Sequence, residues 1–410
     1  MSVDLSELKR SDFPSCVRQG LHKLEEVLLM PSTPHLHDTQ QHIMDQYVFC
    51  CRDPNSPKIR AMGPVEELVV VRELGRYLGR AGDAASRNSL FITLFHPSGH
   101  DPRTQHKLRT LATLISLAVA THNVSVLEAT AVWMQQMCCL SWWSGEVCRG
   151  LVQDYFQLTP AAPPHFAAAL RALPSKAPLF TANLITTLSQ LYAKVGSGEP
   201  CEHPPESLVS TIVWWLRGAP GLPPHLALTP LTNSLPGVSL PMTAVPPIAP
   251  LMKLCVEAPF FEHQENNLTE MGIAGVGGRR LSTTKLTLEI DGGHEKIETS
   301  STDLYSELHL SILQTLQNVP SVRAHMTQKQ VLCPKHVTSV VDAVSERLQG
   351  SRPEQEEAGN LALDRLAQII LVALHTESLS GSLSDMWDSL HRLPRKNRLI
   401  STLLSSREAR

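Results

Sequence analysis

Apolar residues recur along this chain with the period of an α-helix. Directly after one such segment, Ser125 and Glu128 have the spacing of a capping box before the apolar run 127–140, which predicts the start of a second helix. Two helices joined by so short a turn pack antiparallel, so the sequence predicts a helical hairpin here. The preceding segment lines one helix face at the i, i+3, i+4 and i+7 positions with Leu108, Leu111, Leu114, Ile115, Ala118 and Val119.

The same succession of helix and short break runs from end to end. Prolines fall where a helix would end at the preceding residue, as at Pro31, Pro97, Pro160 and Pro174. Strand-type alternation is nearly absent, and no strict repeat length is found. We therefore predict an all-α fold, an irregular helical-repeat array of the HEAT-like, α-solenoid type. The predicted helices cover residues 13–30, 37–51, 64–80, 84–95, 108–119, 127–140, 143–158, 163–173, 177–195, 204–217, 248–258, 304–319, 327–349, 354–376, 382–392 and 394–406.

Two stretches interrupt this pattern and set the predicted domain organisation. Prolines crowd together in residues 218–250, which we interpret first as an ordered Pro-rich connection against a helical core and second as a loose linker. Residues 259–303 are rich in Gly, Ser and Thr and predict a flexible loop, with a β-hairpin candidate at 281–293. The predicted regions are an N-terminal helical-repeat region at 1–258, this loop, and a C-terminal helical region at 304–410.

The composition excludes several classes of protein. With 42% hydrophobic and 18% charged residues, the chain is too apolar to be disordered. Its net charge of −3, without a basic run interleaved with aromatics, leads us to expect no direct nucleic-acid binding. The nine cysteines are odd in number and form no CxxC, which favours buried thiols in a reducing compartment. The chain shows no signal-peptide core and no apolar run of membrane-spanning length, so we expect no membrane association.

The glycine run 272–280 does not make a nucleotide site. It places Gly278, Arg279 and Arg280 where a phosphate loop needs Gly, Lys and Ser or Thr. A dinucleotide fingerprint would need a preceding strand and a following helix, and the pattern predicts neither. We therefore predict no nucleotide cofactor.

The histidines and cysteines likewise form no recognisable metal-binding or catalytic motif. His96 and His100 have the spacing of zinc ligands on a helix, but Pro97 lies between them, and neither this cluster (96–106) nor that at 35–42 completes a ligand set. The pairs at 50–51 and 138–139 lie in apolar helical runs, the setting of buried, inert thiols. We predict no metal site and no enzyme activity. An unrecognised enzyme would need His96, His100 or Cys148 to converge in a polar cleft.

Two adjacent tryptophan pairs are the candidate interaction residues. Neighbouring side chains on a helix point about 100° apart, so one packed face cannot bury both rings of a pair. The simpler interpretation is a helix covered on both flanks. The alternative is that one ring of each pair meets a partner protein, since Trp is enriched among interface hot spots. The partner-interface candidates are Trp142, Trp143, Trp214 and Trp215.

Short colinear blocks in both halves of the chain resemble the Integrator complex subunit 15 family. They run from about residue 63 to about residue 405 and are packing motifs rather than catalytic ones. Within one block, Asp364 and Arg365 are candidates for a local ion pair, with a solvated pair as the alternative. Family members continue into a Pro/His-rich tail without counterpart here, so no role of that tail is carried over. The blocks are 63–66, 94–99, 116–120, 126–129 with Trp133, 303–314 (DLYSELHLSILQ), 361–368 (LALDRLAQ) and Leu393-Pro394.

The resemblance implies a non-catalytic scaffold subunit of Integrator, a nuclear assembly that acts with RNA polymerase II. Integrator regulates transcription and processes the 3′ ends of small nuclear RNA. The implied partners are other Integrator subunits, especially 10, 13 and 14, and the implied localisation is the nucleus, beside any cytoplasmic pool. The residues alone leave a second hypothesis open, a helical-repeat adaptor of a cytoplasmic trafficking or signalling complex, because no clear nuclear localisation run is present.

Overall fold

The computed structural model confirms the all-α prediction. Strand structure within the described residues is limited to the antiparallel two-residue strands β1 (Cys51–Arg52) and β2 (Ile59–Arg60) and one isolated bridge. Among the same residues, no helix combines the length and apolarity needed to cross a membrane. The structure describes residues 5–30, 34–52, 59–80, 82–97, 102–137, 142–157, 164–192, 204–219, 222–227, 248–270, 301–323, 332–349, 355–379, 381–394 and 396–408.

The chain divides into two compact units, each formed from more than one segment. One boundary between the two units lies between residues 187 and 188, inside the predicted N-terminal region 1–258. The domain organisation predicted from the sequence stays a prediction. The helices of the first unit are α1 (Ser6–Arg10), α2 (Ser15–Leu28), α3 (Pro34–Ile43), α4 (Pro64–Arg80), α5 (Ala84–Phe95), α6 (Pro102–Ala120), α7 (Val124–Gln136), α8 (Trp142–Val152), α9 (Pro164–Lys176) and residues 178–187 of α10 (Pro178–Tyr192). π-Helical turns at Met44–Val48 and Gln153–Gln157 follow α3 and α8.

Helices of the first unit pack on one another in succession. Helix α2 packs on α4, α4 on α6, and α6 on α8, while α5 packs on α7 and α6 also contacts α9. Apolar side chains at the period of the helix fill these contacts, since each helix presents one apolar face. Fully buried examples are Leu74, Leu78, Leu90, Phe91, Leu111 and Ile115.

The predicted capping box at Ser125 is wrong, because Asn123 caps α7 instead. The Asn123 side chain accepts a hydrogen bond from the Val126 amide at 3.4 Å and donates one to the Gly75 carbonyl of α4 at 3.1 Å. Glu128 pairs with Arg87 of α5 at 3.0 Å rather than reaching back to its own helix start. Tertiary contacts with α4 and α5 thus decide which residues serve the helix end.

In the second unit, α14 and α16 are central. Helix α14 contacts α11, α12, α13 and α16, whereas α16 also packs against α13, α15 and α18. Buried leucines and isoleucines on both helices, such as Leu308, Ile312, Leu366 and Ile370, form the core. The helices are α11 (Glu206–Gly218), α12 (Leu222–Ala227), α13 (Ile248–Glu270), α14 (Ser301–Arg323), α15 (Pro334–Gln349), α16 (Glu356–His375), α17 (Ser384–Leu390) and α18 (Arg398–Glu408).

Three helices continue through a proline at which the sequence predicted an end. Pro174 lies inside α9, Pro259 inside α13 and Pro320 inside α14. A proline removes one main-chain donor and strains the helix, but it does not stop the helix when packing holds both sides. Helix α13 consequently enters the range predicted as loop, while residues 228–247 of the Pro-rich connection and 271–300 of the loop lie outside the described residues.

Candidate protein-interaction surfaces

The Trp214-Trp215 pair on α11 is divided between core and surface. Trp215 is 0% exposed and packs on the buried face of α11 with Leu208 and Ile212, whereas Trp214 is 42% exposed. Gly218, one turn further on, leaves room beside the Trp214 ring, which lies 3.9 Å from the place a Cβ would occupy there. The interpretation that both rings are buried is therefore wrong for this pair.

An ion pair joins the exposed sides of α11 and α14. Arg217 Nη1 of α11 lies 3.5 Å from Glu307 Oε1 of α14. Trp214 is a neighbour of Arg217 on α11, and Leu310 is a neighbour of Glu307 on α14, because residues three apart are adjacent on a helix. Leu310 is also exposed. Each partner of this ion pair thus has a large exposed apolar side chain one turn away on its own helix.

The first tryptophan pair lies at the start of α8 and is less sharply divided. Trp142 is exposed, Trp143 is half-buried, and Ser144, Val147 and Cys148 line the buried side of the helix. In both pairs the first ring is the more exposed one.

The structure does not bring the candidate catalytic residues together where it describes them. Cys148 is fully buried in α8, and burial raises the pKa of the Cys51 thiol to about 12. His100, the cysteines at 138–139 and the glycine run 272–280 lie outside the described residues. No grouping of three His, Cys, Asp or Glu side chains suited to a metal ion occurs among the residues that are described.

Asp364 and Arg365 do not form the predicted pair. Arg365 points inward and donates hydrogen bonds to the Cys255 carbonyl at 3.0 Å and to Ser306 Oγ at 3.4 Å. Asp364 instead accepts a hydrogen bond from Asn397 at 2.8 Å. Adjacent residues on a helix point in different directions, so each member of this pair serves a different neighbour.

Sequence reasoning missed two further buried ionisable groups of the second unit. Burial raises the pKa of the Glu257 carboxyl to about 7, against the opposing effect of Lys253 and Arg347. Burial likewise lowers the pKa of His309 to about 4. The single carboxylate in the apolar run 248–260 was the signal for Glu257, whereas nothing in the sequence distinguished His309.

Three arginines converge on one carboxylate in the first unit, a feature that sequence reasoning also missed. The side chain of Glu73 is 4% exposed and contacts Arg18 of α2 at 3.2 Å and both Arg72 and Arg76 at 3.5 Å. All three arginines are exposed. The cluster joins residues from two helices, so no contiguous basic run marks it in the sequence.

Comparison with known proteins places the chain in a family. The family model described as Integrator complex subunit 15 matches residues 4–395. A zebrafish (Danio rerio) protein of that name is 28% identical over 89% of this chain and 71% of its own length. The Drosophila melanogaster protein of that name is 24% identical over 93% of each chain, and the human one is 26% identical over 97% of this chain and 86% of its own. The chain thus belongs to the Integrator complex subunit 15 family.

Proposed function

We propose that this chain is a non-catalytic scaffold subunit of the Integrator complex. The observation that carries the proposal is the family match, which extends from residue 4 to residue 395. Stacked helices are suited to this role, because they present long surfaces of fixed shape to other proteins. The proposed activity is to connect modules of Integrator in RNA polymerase II transcription regulation and small nuclear RNA 3′-end processing.

We further propose that the partners include Integrator subunits 10, 13 and 14 and that the chain acts in the nucleus. The candidate contact sites are the exposed rings Trp142 and Trp214, with Trp143 and Trp215 supporting them from the buried side. Exposed tryptophans on ordered helices support this choice, since a rigid aromatic ring loses little conformational entropy on binding and contributes strongly to interfaces.

Affinity purification of the tagged full chain from nuclear extract, with mass spectrometry against a matched untagged control, tests the proposal. We expect several Integrator subunits, led by 10, 13 and 14, to be enriched. The same purification with Trp214→Ser should lose part of that set without lowering the amount of the chain itself. Recovery of a cytoplasmic coat or signalling set without any Integrator subunit would contradict the proposed function.

A further inference from the structure

The outer side of α4 carries an apolar half followed by a basic half. Val65 and Leu68 are 75% and 61% exposed, which is unusual for aliphatic side chains that lie this close together. Arg72 and Arg76 continue the same line, because positions i, i+3, i+7 and i+11 share one side of a helix. Arg18 of the neighbouring helix α2 adjoins the basic half through Glu73. We call these five residues, Val65, Leu68, Arg72, Arg76 and Arg18, the α4 face.

The basic half carries an excess of positive charge. Glu73 supplies one negative charge to three guanidinium groups, so two positive charges remain uncompensated within this cluster. Glu73 is buried while the three arginines are exposed, so the guanidinium groups keep further N–H donors accessible to a ligand. An arginine has five such donors in a planar fork that matches a carboxylate.

Of the neighbouring acidic residues, Glu26 pairs with Lys23 and Glu66 pairs with Arg60, so these two negative charges are compensated. Glu25 accepts a hydrogen bond from the neutral Tyr77 hydroxyl, and Glu67 contacts His106, so these two carboxylates keep their charge. The positive excess is therefore a local property of the cluster of three arginines around Glu73.

We propose that the α4 face binds an acidic amphipathic helix of a partner protein. Two apolar side chains of that helix would pack on Val65 and Leu68, and carboxylates further along it would pair with Arg72, Arg76 and Arg18. The α4 residues of this face, from Val65 to Arg76, span twelve residues, or about 17 Å of helix, which corresponds to about three turns of the partner. This inference goes beyond the proposed function, since it names a surface and the chemistry of its ligand.

A protein ligand fits this face better than a nucleic acid does. Two of the four residues that α4 contributes are aliphatic, and none of the five residues of the α4 face is an aromatic on which a base could stack. A phosphate backbone would use the arginines and leave Val65 and Leu68 in water. A carboxylate-bearing amphipathic helix satisfies both halves at once.

Fluorescence anisotropy with the full chain and a labelled synthetic peptide tests the inference. The probe is a peptide of about five helical turns with two leucines followed by three glutamates at the spacing of the α4 face. A second peptide has lysines in place of the glutamates. We expect the glutamate peptide to bind, with affinity that falls as salt is added, and the lysine peptide not to bind.

Charge reversal gives the decisive comparison. Arg72→Glu/Arg76→Glu should weaken binding of the glutamate peptide by about tenfold or more and allow the lysine peptide to bind. Val65→Ser/Leu68→Ser should weaken binding while keeping the salt dependence. The matched control is Arg171→Glu/Arg398→Glu, which changes the net charge equally at exposed sites on α9 and α18 and should leave binding unchanged.

Three results would overturn the inference. They are absence of binding, equal loss in the control variant, and tighter binding of a single-stranded RNA that depends on Arg72 and Arg76. If charge reversal disturbs folding, as judged by circular dichroism, the neutral Arg72→Gln/Arg76→Gln variant replaces it, with a smaller expected loss because it removes attraction without adding repulsion. The peptide assay and the affinity purification are independent, because the peptide is synthetic. A peptide that does not bind would leave the proposed Integrator function standing, and a purification without Integrator subunits would leave a measured peptide affinity standing.

Discussion

The guanidinium group of Arg365 donates a hydrogen bond to the Cys255 carbonyl at 3.0 Å, at the place where Pro259 interrupts helix α13. In an uninterrupted helix that carbonyl accepts from the amide four residues later. Residue 259 is a proline and has no amide hydrogen, so Arg365 supplies the missing donor. A buried arginine on α16 therefore allows α13 to continue past its proline.

Replacing Arg365 by methionine should lower the free energy of unfolding by about 1–3 kcal/mol, because a buried carbonyl loses its added donor. Chemical denaturation followed by circular dichroism measures the loss. Pro259→Ala restores the main-chain donor, so it should recover more stability in the Arg365→Met background than it adds to the unaltered protein. Equal effects of Pro259→Ala in both backgrounds would show that Arg365 does not compensate for the proline.

Glu257 should make the stability of the second unit depend on pH. Burial raises the pKa of its carboxyl from 4.5 to about 7 in the folded state. Between these pH values Glu257 retains a proton in the folded protein that it releases in the unfolded chain, so the contribution of Glu257 to the free energy of unfolding falls as pH rises. The fall amounts to about 3 kcal/mol and is complete above pH 7.

Denaturation midpoints of Glu257→Gln at pH 5, 6, 7 and 8 test this dependence. The variant should resemble the unaltered protein at pH 5 and exceed its stability at pH 8, so the stability difference between the two should grow as pH rises. The difference is the readout because His309, whose pKa burial lowers to about 4, contributes an opposing rise in stability over part of this range. Glu346→Gln, which changes an exposed carboxylate on α15, is the control, and its stability difference from the unaltered protein should not grow in this way. A difference that stays constant from pH 5 to pH 8 in Glu257→Gln would contradict the prediction.

The two rings of the α11 pair should differ in the kind of damage their loss causes. Trp215→Ala removes a fully buried ring and should cost about 3–5 kcal/mol of stability. Trp214→Ala removes an exposed ring and should change stability by no more than about 0.5 kcal/mol. Thermal unfolding separates the two effects, and co-purification of partners should be reduced by Trp214→Ala in a folded protein. Similar destabilisation by both variants would mean that the Trp214 ring serves packing rather than binding.

Asn123 and Ser125 provide a test of which residue caps α7. Asn123→Ala removes the bond to the Val126 amide together with the bond to the Gly75 carbonyl, and should cost about 1–2 kcal/mol. Ser125→Ala should change stability by less than about 0.5 kcal/mol. Urea denaturation of both variants gives the comparison. A larger loss at Ser125 would restore the capping box that its spacing with Glu128 predicts.

The sequence predicted the bounds of individual helices better than the contacts between helices. The bounds of α4 and α5 match the predicted ranges 64–80 and 84–95, because periodicity and flanking turn residues are local properties. The tryptophan pairs could be identified but not oriented, since two adjacent rings on a helix are equivalent until a second helix covers one of them. The α4 face was not predicted at all, because its arginines come from residues 18, 72 and 76 and become one cluster only when α2 packs on α4.

The sequence by itself determined that this protein is built of helices, where most of them begin, and which family it resembles. These features depend on the order of apolar, polar and turn residues within short stretches. Only the tertiary structure decided that Asn123 rather than Ser125 caps α7, that α13 passes through Pro259, and that Trp214 rather than Trp215 faces the solvent. In each case the deciding group is a residue distant in sequence, which supplies a hydrogen bond or covers a surface only after the helices have packed.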